Sequence, residues 1–194
     1  MEKNMQFASD VMLIDTSYLD RVVSDMHRHF TSVLGRELPK ADLAVLLECL
    51  ALDGGVQTGK NEVQVLLIHE SSDSVLHACM PSDYEAEIHG KAFAGRLGEF
   101  ALYAFQPAEM ASRETLFMEA LGMALSSKEV GRLLVVPDET GYGKQALSAI
   151  NAAEEKKSIT LFGMNPPAGK NRCGFDLLGF SVLQALGIRA DELK

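Results

Sequence analysis

Positive charge is scarce in this sequence. Lysine and arginine number 18 against 27 aspartates and glutamates, which leaves a net charge of −9 and an isoelectric point near 5.0. A surface of that sign repels phosphate backbones and anionic lipid. It excludes a broad, sequence-blind nucleic-acid binder, so any nucleic-acid role needs a local basic patch. The same balance also serves simply to keep a protein in solution. Cysteine is rare too: Cys49, Cys79 and Cys173 are an odd, scattered set, which is no disulfide framework. None lies in a C-x-x-C pair, which excludes the usual structural zinc site. Cys49 and Cys79 sit on apolar segments and read as small core residues.

Long hydrophobic runs are missing as well. No stretch approaches the roughly 20 apolar residues that span a bilayer. Met1 to Asp10 has neither the basic start nor the apolar run of a signal peptide, so the expected location is the cytoplasm. There is no internal repeat, low-complexity tract or convincing linker. With 194 residues, 47% of them hydrophobic, the chain suits one domain, because two would leave each core thin.

What is present is alternation of strand and helix. Val11 to Ile14 is a continuous apolar run ending in Asp15, as a strand buried on both faces reads. Leu19, Val22, Val23, Met26, Phe30, Val33 and Leu34 then recur at helical spacing, and Gly35 and Pro39 close that helix. A shorter stripe, Leu43 to Leu50, ends at Asp53-Gly54-Gly55. Val63 to Ile68 is a strong strand, and Val75 to Cys79 is expected to return as a hairpin. Ser82-Asp83-Tyr84-Glu85 fits a capping box, which predicts a helix to about Leu97. Strands follow at Phe100 to Phe105, Arg132 to Val136 and Ile159 to Phe162, the last strand expected. Helices are predicted after the first two, from Leu116 to Leu125 and from about Lys144 to Glu155. Phe175 to Ile188 is expected to be a final helix packed on a core of about residues 11–165. The pattern predicts a single three-layer α/β domain, residues 1–194, with a mainly parallel central sheet. Ligands of such sheets bind beyond the carboxyl ends of the strands.

Two strands end in an aspartate, Asp15 and Asp138. If those strands are adjacent and central, both carboxylates face one crevice, where they repel each other unless a cation joins them. Mg²⁺ takes oxygen ligands, and two acids plus a third suffice for metal-assisted phosphoryl transfer. Singly, each aspartate is equally well a helix cap. Glu114 and Glu119 lie near the start of the helix after the Phe100 strand, and Glu119 interrupts an apolar run; it is also readable as a surface residue. Thr140-Gly141-Tyr142-Gly143-Lys144 precedes a helix and lacks the P-loop spacing, though its amides and Lys144 suit an anion. The five histidines have no ligand spacing and read as structural or solvated. No G-x-S-x-G elbow occurs.

These residues resemble the PIN-like nuclease superfamily, and within it the NYN-type domains. Ile14-Asp15-Thr16-Ser17-Tyr18-Leu19 resembles the opening D-T-S-x-L of PIN domains. Arg113 to Ala124 resembles the acid-bearing NYN helix, with Glu119 at the usual aspartate position. Leu134 to Asp138 and Ile159 to Met164 resemble the later strands. The resemblance implies a Mg²⁺- or Mn²⁺-dependent ribonuclease. Its catalytic residues would be Asp15, Glu119 and Asp138, its metal ligands Asp15, Asp138, Glu119 and Glu114, and its substrate contacts Lys144, Lys170 and Arg172. The sequence departs from the pattern at Tyr18, where an asparagine is usual, and at Arg113 and Thr140, where aspartates are usual. With so few basic residues, weak and salt-dependent RNA binding is expected. A second reading is a non-catalytic PIN-like module that binds a protein partner or forms a homodimer. A third is a different α/β enzyme or small-molecule binder using the Thr140 to Lys144 loop.

Overall fold

The continuous apolar runs become the centre of a sheet. In the computed structural model, which describes residues 6–154 and 156–193, seven strands form one sheet. They are β1 (Asp10–Asp15), β3 (Asn61–Ile68), β5 (Lys91–Gly95), β6 (Gly98–Phe105), β7 (Arg132–Val136), β8 (Ser158–Gly163) and β9 (Gly174–Leu177). Their order is β5-β6-β3-β1-β7-β8-β9, and every pairing is parallel except that of the edge strand β5 with β6. A second, two-stranded sheet joins β2 (Ala41–Asp42) to β4 (Cys79–Met80). The residues expected beyond these limits, Met1 to Met5, Glu155 and Lys194, lie outside the described residues.

Helices cover both faces, and side-chain alternation along the strands sorts them. Met12 and Ile14 of β1, with Val63, Val65 and Leu67 of β3, face the larger core beneath α1 (Thr16–Leu34), α2 (Leu43–Asp53) and α5 (Leu178–Ala185). Val11 and Leu13 face the other way. They pack with α3 (Arg113–Ser126) and α4 (Gly143–Ala152) around the fully buried Phe117. The expected three-layer α/β architecture is therefore present, with the Asp15 and Asp138 strands adjacent and central. Each fully buried leucine or phenylalanine in these layers contributes about 1.5–3 kcal/mol.

Several local expectations are corrected. The segment after Asp83 is one turn of π-helix, Tyr84–Ile88, which stops before Gly90 at φ 70°; Lys91 then begins an edge strand. An edge strand buries little, so its sequence carries no clear alternation. Val75 bridges Asp83 rather than returning along β3, and Cys79 pairs with Ala41. The last strand is β9, not β8, so the sheet runs past residue 165 and α5 starts only at Leu178. Gly98 is required where β6 leaves its turn. Its φ is 134°, and a Cβ there would lie 2.2 Å from the Asn61 carbonyl oxygen.

Candidate functional site

Taking only the six parallel strands in chain order, the sheet reads 3-2-1-4-5-6. Its switch point lies between β1 and β7, and that is the crevice where such sheets place ligands. Asp15 is the last residue of β1 and Asp138 follows β7 by two residues, so both reach it.

Asp15 is completely buried. Its Oδ1 accepts the Tyr18 backbone N–H at 2.8 Å, which caps α1, and its Oδ2 accepts the Tyr142 hydroxyl. Asp138 Oδ1 accepts from Thr140 N at 3.2 Å, Thr140 Oγ1 at 2.9 Å, Gly141 N at 3.1 Å and Arg21 Nη2 at 3.0 Å. Between the two aspartates stands Arg113, the first residue of α3. Its Nη1 is 3.1 Å from Asp15 Oδ1 and its Nη2 is 3.4 Å from Asp138 Oδ2. Its Nε lies 3.3 Å from Glu70 Oε1, near enough for charge attraction but not aligned for a hydrogen bond. Glu139 closes the far side. It accepts from the Tyr18 hydroxyl at 2.9 Å, Met164 N at 2.6 Å and Asn165 Nδ2 at 2.6 Å.

The two carboxylates respond differently. Burial pushes the Asp15 pKa up, against the Tyr142 and Tyr18 hydrogen bonds and the Arg113 charge. Burial also opposes ionisation of Asp138, but the Thr140 and Gly141 bonds, with Arg21 and Arg113, outweigh it and hold the pKa below its ordinary 3.8. A lowered carboxylate pKa stabilises the fold above the unfolded value, and that stabilisation is lost as pH falls through the folded value. Acid unfolding below pH 3.8 is therefore expected to be shallower in Asp138→Asn than in the parent protein. Urea titrations at stepped pH check this; identical acid limbs would show that Asp138 carries no such linkage.

The other expected site residues make no hydrogen bond or ion pair to Asp15 or Asp138 among the described residues. Glu114 and Glu119 are exposed on α3 and make no ion pair among the described residues. Glu119 follows Arg113 by six residues, which puts it about 9 Å further along the helix and about 120° around it. Lys144 reaches a cleft of about 370 Å³ at the ends of β7 and β8, walled by Pro137, Leu161 and Phe175. Arg172 does not: its guanidinium donates to the Ala153 carbonyl at the C-terminal end of α4, and its N–H to Asn151 Oδ1. Lys170, in the same segment, does not line the cleft.

A divalent metal fits poorly here. Mg²⁺ needs octahedral oxygen ligands at about 2.0–2.1 Å, yet both Asp15 oxygens are committed and Arg113 stands between the pair. Among the described residues no group of three or more His, Cys, Asp or Glu side chains is arranged to hold a metal ion. Sequence reasoning met Arg113 only as a departure from a motif, and missed Arg21, Glu139 and Tyr142 as its neighbours.

Fold and site together define an α/β protein with a mainly parallel sheet and an arginine-bridged carboxylate pair at its switch point. The chain belongs to DUF6621, a family of unknown function, whose model matches residues 4–193. No curated protein and no solved structure matches it. No helix among the described residues is long and apolar enough to cross a membrane.

Proposed function

We propose that this chain is a non-catalytic, PIN-like module that acts by forming a homodimer. One observation carries the reading: the Arg113 guanidinium supplies, from within the chain, the positive charge that the Asp15–Asp138 pair requires. That favours a structural ion-pair network over the metal-dependent ribonuclease that the resemblance implies.

The surface of α2 and α5 supports the dimer. α5 (LGFSVLQA) has no charged residue, and α2 (LAVLLECLALD) is apolar on almost every side. A helix that is apolar all round is normally covered, but here Phe180 is 61% exposed and Leu52 55%. A groove of about 500 Å³ lies on the same face, with Asp53 and Arg96 on its wall. Phe180 and Leu52 form part of the groove's own wall, so a two-fold axis across this face sets the exposed apolar side chains of each copy against those of the other. The same symmetry lets Arg96 of each copy meet Asp53 of the other.

Analytical ultracentrifugation of the full chain is expected to show a dimer, weakened at least about 30-fold by Phe180→Glu, the effect of losing an interface hot spot. Circular dichroism should be unchanged. A monomeric parent protein removes the dimer. RNA cleavage that requires Mn²⁺ and disappears in Asp15→Asn removes the non-catalytic reading and restores the nuclease.

A further inference from the structure

A second strand-end cavity lies away from the acid pair, at the carboxyl ends of β3 and β6. It measures about 400 Å³, and His69, Ser71, Asp73, Asp83, Glu85 and His89 are among its lining residues. We propose that it binds a small organic cation, a compound with primary ammonium groups. This rests on neither the dimer nor the fate of the Asp15–Asp138 pair.

His69 anchors the argument. It directly follows β3, its N–H donates to the Phe105 carbonyl at 3.0 Å, and it is only 8% exposed. Its ring stacks on Tyr84 with centroids 4.0 Å apart and planes 11° apart. Tyr84 is fixed in turn, its hydroxyl donating to Thr16 Oγ1 at 2.7 Å and Thr16 donating to the Ile68 carbonyl at 2.9 Å. The His69 Nδ1 lies 2.9 Å from the Glu70 carbonyl oxygen and 3.0 Å from that of Asp73. Carbonyl oxygens only accept, so Nδ1 carries the proton. In the neutral ring Nε2 then holds a lone pair, and it has no hydrogen-bond partner among the described residues. A rigid acceptor on a side chain whose residue is only 8% exposed, in a cavity wall, selects a ligand that donates hydrogen bonds.

The surrounding charge selects the sign of that ligand. The lining includes three carboxylates and neither lysine nor arginine. Asp83 Oδ1 is used by the Glu85 and Ala86 amides, while the Asp73 side chain makes no hydrogen bond among the described residues. An ammonium group offers N–H donors to His69 Nε2 and charge to Asp73 together.

The test uses four-carbon probes with different end groups on the full chain: butane-1,4-diamine, butane-1,4-diol and succinate. Calorimetry is expected to show binding of the diamine, with the diol and succinate at least tenfold weaker. His69→Asn keeps an N–H donor toward the two carbonyls but removes Nε2, and Asp73→Asn removes charge from a side chain that holds nothing else in place. Each is expected to weaken the diamine at least tenfold. The His69 Cε1–H resonance should move on titration of the parent protein. No diamine binding to the parent, or equal binding in Asp73→Asn, overturns the proposal. Diol binding as tight as diamine binding overturns the cationic class and marks a neutral polyol site.

Discussion

Replacing Arg113 by alanine is expected to destabilise the protein by about 3–5 kcal/mol at pH 7, the cost of stripping one partner from a buried charge network. The reason is geometric. Asp15 is fully buried and Asp138 nearly so, and the guanidinium stands 3.1 and 3.4 Å from their oxygens. Without it two carboxylates face each other in a low-dielectric crevice. Burial already pushes the Asp15 pKa up, and losing the cation drives both upward. A native state whose acids are raised binds more protons than the unfolded chain. The deficit of Arg113→Ala is therefore full at pH 7 and shrinks as the pH falls through those raised values. Urea unfolding of both proteins at pH 7 and at about pH 4.5 measures it. An equal deficit at both would mean that Arg113 matters for packing alone. Mn²⁺ offers a second readout: it should leave the parent unchanged, since both Asp15 oxygens are committed. Stabilisation of the parent by Mn²⁺ would place a metal at this pair and return the nuclease reading.

Phe117→Ala is expected to cost a similar amount, about 3–5 kcal/mol, because a large ring leaves a fully enclosed space. This change also reaches the site. The Phe117 ring packs on Tyr142 with centroids 5.2 Å apart, and the Tyr142 hydroxyl donates to Asp15. One ring thus links the core beneath α3 to the carboxylate at the end of β1. Neighbours that share a partner couple, so Phe117→Ala and Tyr142→Phe should deviate from additivity by about 0.5–3 kcal/mol in a double-mutant cycle. Additivity would show that Phe117 only fills space and does not hold Tyr142 against Asp15.

Much of the frame was legible beforehand. The apolar runs ending at Ile14 and Val136 specify strands buried on both faces. The stripe from Leu19 to Leu34 specifies α1, and Asp15 its cap. Those signals are local, set by side-chain period and by the unsatisfied amides of a helix start. Elements that bury little were misread. Lys91–Gly95 pairs on one edge only, and Gly174–Leu177 is short and half-buried, so neither carries a period strong enough to announce a strand.

By itself the sequence determined an α/β chain with a mainly parallel sheet, two aspartates at strand ends and an acidic surface. Only the tertiary structure decided what those aspartates face. Arg113 and Asp15 are 98 positions apart in the chain, and no pattern of nearby residues encodes their meeting. It follows from α3 packing over β1, with its first residue at the strand's carboxyl end. Strand order likewise set Asp138 beside Asp15, while the turn of α3 carried Glu119 to solvent. The tautomer of His69 was decided the same way, by carbonyls that only the folded loop holds against its ring. Periodicity reports which face of an element is buried; which charge is buried against which is fixed only when the elements pack.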